Sequence, residues 1–180
     1  MTTIEQSEVM IDLETLSIRP NACILSIGAA RFFPREIGVM DHFEVFVDPR
    51  SCADAGLHID ADTVMWWMHG DRDLARKELM ACPRLPLRTA LLMFTEWLKG
   101  DRPVWGNGAT FDNVVLRNAY EACGILTPWT YWNDRCYRTM KSQYPDVKMA
   151  RKGTHHSAAA DAVSQAIHLQ AIFNSISGDD

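Results

Sequence analysis

The sequence predicts an α/β domain, and three observations carry that expectation. Strand-like runs follow one another near the N-terminus, helical periodicity fills the middle, and one short strand lies between two amphipathic helices. The strand runs are "EVMIDLET" (8–15), "ACILSIGAARFF" (22–33) and "DHFEVFVD" (41–48), broken at Pro20-Asn21 and at Pro34 to Gly38. Their close succession favours antiparallel pairing, because a parallel crossover needs a longer connection.

Helical segments come next. "DTVMWWMH" (62–69) precedes "DRDLARKELMA" (71–81), a charged helix that ends before Pro83. In "PLRTALLMFTEWLKG" Leu87, Leu91, Phe94 and Leu98 recur at helical spacing, with Pro86 at the start and Gly100 past the end. After the strand "PVWGN" (103–107), Val115, Leu116, Ala119 and Cys123 form the apolar stripe of another helix, which Gly124 stops. The last long helix is expected from about Ser157 to Ile172. No repeat, low-complexity tract or linker divides the chain, so one domain over 1–180 is expected.

Composition narrows the class. Hydrophobic residues make up 47% and charged residues 23%, which suits a globular core and excludes disorder. A net charge of −5 argues against a protein that coats duplexes, but leaves room for an enzyme that grips a few nucleotides at a strand end. The five cysteines are odd in number and never form C-x-x-C, so neither a disulfide framework nor a zinc site is expected, and a reducing cytoplasm fits. "MTTIEQSEV" has no basic and apolar leader pattern, and no apolar run approaches a membrane span.

The informative residues are acids. Asp12 and Glu14, in "VMIDLETLS", project from one strand face about 6–7 Å apart, while Ile11 and Leu13 point to the other. Two carboxylates that close repel unless a cation lies between them, although a solvated strand face would also explain D-x-E. Asp112 in "WGNGATFDN" stands at the start of a helix, where the helix N-terminus alone would favour a carboxylate. Asp161 follows His156 by five residues in "HHSAAADA", early in the last helix and behind three alanines that permit close approach. Together they supply four carboxylates and an imidazole at element ends.

D-x-E on the first strand, G-A-x-F-D before a helix and H-x4-D on the last helix resemble the DEDDh family of 3′-5′ exonucleases. "DTVMWWM", "VWGNGATFDNVVLRNAYE" and "PWTYWNDRCYRT" extend the likeness, in the same order along nearly the whole chain, to the phage-type exodeoxyribonuclease VIII and mycobacterial exoribonuclease branch. One departure stands out: many relatives have Asn where this chain has Gly108, with Asn107 beside it, which puts a substrate-positioning contact in doubt.

The resemblance implies a ribonuclease H-like fold, a mixed sheet of about five strands whose first three are antiparallel neighbours, flanked by helices. It implies hydrolysis of single-stranded DNA or RNA from the 3′ end, releasing nucleoside 5′-monophosphates with two divalent cations, Mg²⁺ or Mn²⁺. By similarity Asp12 would bridge both ions, Glu14 and Asp161 would complete the site of the attacking water, and Asp112 would serve the second ion. His156 would be the general base, with His155, at a spacing of six, as its rival. A homodimer and a cytoplasmic setting, in a host cell if phage-encoded, are also in keeping with that branch. The alternatives are a catalytically silent module that binds nucleic-acid ends, and a hydrolase of small nucleotide phosphoesters.

Candidate substrate contacts are Leu13, Trp66, Trp67, Asn107, Phe111 and Arg151. Of the adjacent Trp66 and Trp67 only one can face the core, and the other is either a partly buried surface ring or a stacking platform for a base. Trp105 is expected to support the Asp112 loop from the core. Lys148, Arg151 and Lys152 form a basic cluster that is either solvated or on phosphate, whereas Arg72, Arg76 and Lys77 interleave with acids as a solvated helix face. Asn133 and Asp134 receive no chemistry from sequence.

Overall fold

The computed structural model describes residues 4–176 other than Lys152, Thr154 and His155. The rival base His155 and the basic Lys152 therefore lie outside the described residues. Near-continuous apolar runs, buried on both faces in the first two, build β1 (Glu8–Thr15), β2 (Ile24–Phe32) and the more exposed β3 (Val39–Phe46). Helices α1 (Pro49–Asp54), α2 (Ala61–Met68), α3 (Asp73–Ala81) and α4 (Leu87–Leu98) follow. Then come β4 (Val104–Gly106), α5 (Asp112–Ala122), β5 (Asp134–Cys136), α6 (Tyr137–Gln143) and α7 (Ala158–Ile176).

The sheet order is β3-β2-β1-β4-β5. The first three strands pair antiparallel, and β4 and β5 add in parallel to β1, which gives the mixed five-stranded sheet expected of a ribonuclease H-like fold. Val9, Ile11 and Leu13 point to one face, where they join Leu91, Phe94, Val115 and Leu116 from α4 and α5. Met10 points to the other, against Trp105 and the α7 residues Ala162, Ala166 and Leu169. By alternation Asp12 and Glu14 share the α7 side.

The close approach of α7 has a cause in β2. A Cβ at Gly28, which pairs with Asp12, would lie 2.0 Å from the Ala158 carbonyl carbon. Only glycine lets the first turn of α7 settle on the sheet beside the acids. No helix among the described residues is long and apolar enough to cross a membrane.

Several boundaries differ from the sequence expectation. Helix α1 carries no long apolar stripe; Asp48 caps it by accepting from the Arg50 N–H, and Pro49 fixes its first turn. The segment expected as one helix over 71–81 opens with a 3-10 turn at Gly70–Arg72 before α3. Strands β2 and β3 begin and end two residues or so from the sequence estimate, and α7 runs on to Ile176. Asp134, without chemistry in the sequence, is a hub: it accepts from Asn113 Nδ2 at 2.9 Å, Trp129 Nε1 at 2.8 Å and Arg117 Nη2 at 3.1 Å, joining α5 to β5. Asn133 Nδ2 donates to Asp101 at 2.7 Å, a fastening of the same loop.

Candidate active site

The four acids arrive from three elements. Strand β1 carries Asp12 and Glu14, α5 begins at Asp112, and the first turn of α7 carries Asp161. They meet in a cleft of about 270 Å³, also lined by His156, Arg151, Gln165 and Arg138. The cleft lies at the carboxyl ends of the parallel pair β1 and β4, the usual place for a ligand beside parallel strands.

Local structure fixes each side chain. Gln165 Nε2 donates to Asp12 Oδ1 at 2.7 Å. The Asp112 N–H donates to the Gly108 carbonyl at 3.2 Å, and backbone N–H groups near its carboxylate, those of Leu13 and Asn107 among them, favour the ionised form. A Cβ at Gly106 would come within 2.9 Å of Asp112 Cβ, so glycine there again permits the close approach. Asp161 accepts the His156 N–H at 3.0 Å and a hydrogen bond from the Arg151 guanidinium. His156 adopts φ of +64°, a left-handed conformation uncommon outside glycine, just ahead of α7. Its ring meets the edges of Trp66 and Trp67 at centroid distances of 5.1 and 6.2 Å.

Burial and mutual repulsion set the electrostatics. Glu14 is pushed up to about 8, first by burial and then by the charges of Asp161 and Asp112. Asp112 is raised to about 7 by burial, partly opposed by its backbone donors and by Arg138. Asp12 is held well above the usual carboxylate range by burial and by Asp112, Glu14 and Asp161, with only the Gln165 bond opposing. Burial beside like charges thus favours the protonated forms of Asp12, Glu14 and Asp112, a penalty that a bound cation would offset.

The donor set fits a hard divalent cation. Glu14, His156 and Asp161 each offer a ligand atom, and these atoms lie within 4.8 Å of one another. Carboxylate oxygens predominate and no thiolate is among them. Asp12 and Asp112 line the same cleft from β1 and α5.

The candidate substrate contacts divide. Leu13, Phe111, Trp66 and Trp67 line an adjoining hollow of about 480 Å³ that opens onto Glu14. Trp67 is 5% exposed and donates its Nε1–H to the Thr15 carbonyl at 2.9 Å, so it is a wall. Trp66 is 40% exposed, but the Arg72 guanidinium covers it at 3.7 Å from the ring centroid. Arg72 and Arg76 are therefore not a solvated face: one lies on Trp66, and the other bonds the Trp67 and His69 carbonyls and the Asp73 carboxylate. Arg76 thus ties α3 to the end of α2, and Arg72, in the 3-10 turn between them, packs on α2 through Trp66. Lys77 is exposed as expected. Arg151 faces the acids through Asp161, Asn107 lines the cleft, and Trp105 is buried on the α7 side with its Nε1 bonded to Glu8.

Gln165 and Arg138 are among the cleft residues that the sequence reading did not single out. Gln165 stands four residues after Asp161, hence on the same helix face, and that spacing was the available signal. Arg138 opens α6 and reaches the Asn107 carbonyl at 2.6 Å, a contact between segments far apart in sequence that no local pattern announces.

The family model of the 3′-5′ exoribonuclease Rv2179c-like domain matches residues 7–173. No curated protein matches the chain. Among solved structures, the nuclease domain of 3′hExo, described as a DEDDh family member bound to rAMP, is 12% identical with a TM-score of 0.63, covering 97% of this chain and 94% of that one. Exonuclease I of E. coli in complex with a dA16 oligonucleotide is 14% identical with a TM-score of 0.65, covering 92% of this chain and 40% of that one. The zinc-bound form of the E. coli exonuclease I–ssDNA complex is 14% identical with a TM-score of 0.62, covering 94% and 40%. The chain thus spans about two fifths of exonuclease I, and at these identities the likeness is one of fold. With the family model matched from before β1 to the last turns of α7, and the DEDDh acids gathered in one cleft, the chain belongs to the 3′-5′ exoribonuclease Rv2179c-like family and is a 3′-5′ exonuclease.

Proposed function

We propose that the protein hydrolyses phosphodiester bonds at the 3′ ends of single-stranded nucleic acid, in the manner of the exodeoxyribonuclease VIII and mycobacterial exoribonuclease branch, with divalent cations held by Asp12, Glu14, Asp112 and Asp161. The observation that carries this reading is the convergence of those acids and His156 on one cleft, three of the acids with raised pKa. When bound, Mg²⁺ or Mn²⁺ supplies Lewis acidity toward the phosphoryl oxygens and lowers the pKa of bound water.

The chain's own residues do the rest. His156 accepts a proton from the attacking water; its backbone N–H bond to Asp161 and the two tryptophan edges hold the ring over the cleft. The hollow bounded by Leu13, Phe111, Trp66 and Trp67 takes the terminal nucleoside. Its apolar walls suit a base face and exclude water from the scissile bond. Cleavage there releases a nucleoside 5′-monophosphate. The family description favours RNA as the polymer, and DNA of the same sequence is the comparison.

The test uses 5′-labelled single-stranded RNA and DNA with Mg²⁺ or Mn²⁺, beside EDTA and Asp12→Ala controls. The expected result is a ladder shortening from the 3′ end that requires metal and Asp12. Equal cleavage in EDTA, or by the variant, would contradict the metal reading. A protein that binds the strands, folds normally and cleaves neither would instead be the silent end-binding module.

A further inference from the structure

A second hollow, of about 550 Å³, opens beside the catalytic cleft and shares Asn107, Arg138, Lys141 and Met149 with it. Its cations are Arg138, Lys141 and Lys148, and among the described residues no Asp or Glu lines it. On a chain of net charge −5, next to a cleft of four carboxylates, this is a local reversal of sign. Arg138 and Lys141 stand three apart on α6 and so share a helix face.

The hollow is built on fixed parts. His168 bridges two partners across it, with Nε2 2.7 Å from the Val147 carbonyl and Nδ1 2.6 Å from the Tyr137 hydroxyl. That chain of bonds fastens α6, α7 and the segment carrying Lys148 to one another. Arg138 is held by the Asn107 carbonyl. The space it fills is made by Gly108, whose φ is +120° and where an added Cβ would approach the guanidinium to 3.1 Å. The departure at Gly108 thus has a physical counterpart: a side chain there would be strained at that φ and would crowd the Arg138 guanidinium, whose charge acts on Asp112.

We propose that Arg138, Lys141 and Lys148 form a binding site for the phosphodiester backbone of the strand on the 5′ side of the scissile bond, which makes the protein an enzyme of oligonucleotides rather than dinucleotides. This rests on the functional reading above: the terminal nucleoside enters the hollow at Trp66, the scissile phosphate lies at the acids, and the strand leaves through the cationic hollow on the opposite side. Lys148 separates in role from its sequence neighbour Arg151, which faces Asp161. The two lysines are exposed, where their charges meet a polyanion without costly burial.

The test compares the wild type with the Lys141→Ala/Lys148→Ala protein on an octanucleotide and on a dinucleotide, in Mn²⁺, over a range of salt. The wild type is expected to favour the octanucleotide in kcat/KM. The variant is expected to lose about tenfold of that preference, mostly in KM, and its log KM against log salt should flatten by about 0.7 per lysine removed. Equal losses on both lengths, or an unchanged preference and slope, would overturn the proposal. Arg138→Lys, which keeps the charge, should retain most of the preference, whereas loss of the preference in that variant with both lysines silent would assign the effect to the Asn107 contact and reject a backbone site. Failure of the underlying reading looks different: the wild type would then cleave neither length, or its cleavage would survive EDTA, whatever the lysines do.

Discussion

Glu14 lies on the α7 side of the sheet beside three other acids, and a cation held there would compete with its proton. Its folded pKa of about 8 against 4.5, and that of Asp112 at about 7 against 3.8, mean that the folded protein binds more protons than the unfolded chain between roughly pH 4.5 and 8. Their contribution to the stability of the metal-free protein is therefore present below that window and lost as pH rises through it. Thermal melts in EDTA should fall from about pH 6 to pH 8.5, and saturating Mg²⁺ should remove most of the difference. A flat profile in EDTA would mean that these acids are not protonated together. Asp12→Ala relieves the same repulsion. It is expected to abolish turnover while leaving the far-UV circular dichroism intact, with a metal-free Tm no lower than wild type. Collapse of that spectrum would make Asp12 a structural residue. His156→Ala should lose at least a hundredfold in kcat and keep Mn²⁺ affinity near wild type if the imidazole acts as base. A parallel loss of Mn²⁺ binding would make it a ligand, a role that its reach to Glu14 and Asp161 also permits. These residues were legible in the sequence because D-x-E and H-x4-D are local spacings. Gln165 and Arg138 were less so, since their value lies in contacts across the fold.

Elements carry the acids to the cleft, and their closest approaches are made by glycine. Gly28→Ala would drive a methyl into the Ala158 backbone, so α7 must lift from β2 and take Asp161 and His156 with it. The expected outcome is a Tm lower by several degrees and a loss of activity larger than the unfolded fraction explains, read by calorimetry beside the nuclease assay. Full activity in that variant would show that α7 placement is not what sets the site. β1 to β3 and the long helices were readable because apolar runs bounded by Pro, Asn and Gly breaks and a 3.6-residue period are strong over eight or more residues. β5 and α6 were not, at three and seven residues: their identity comes from pairing with β4 and from the Asp134 hub. Arg72 and Arg76 were misjudged for a related reason. Periodicity predicts which face of a helix a residue occupies, but a guanidinium long enough to reach a neighbouring ring or carbonyl finds its partner off that face.

On the scale of the whole molecule, a chain of net charge −5 must bring a polyanion to four carboxylates. Coulomb repulsion forbids that unless cations intervene, either bound at the acids or fixed beside them, and the cleft offers both a donor set and the Arg138 side. The sheet makes this arrangement by adding parallel β4 to β1, which sets the starts of α5 and α7 at one end of the molecule. The central claim is that the cleft is a divalent-cation site on which catalysis depends. The most direct measurement is a calorimetric titration of Mn²⁺ into the wild type and Asp12→Ala proteins, with nuclease activity followed in the same samples. Saturable binding of two ions per chain, weakened at least tenfold by Asp12→Ala and rising in step with activity, is the expected result. Activity that reaches its full value with no Mn²⁺ bound, or Mn²⁺ binding unaffected by Asp12→Ala, would contradict it.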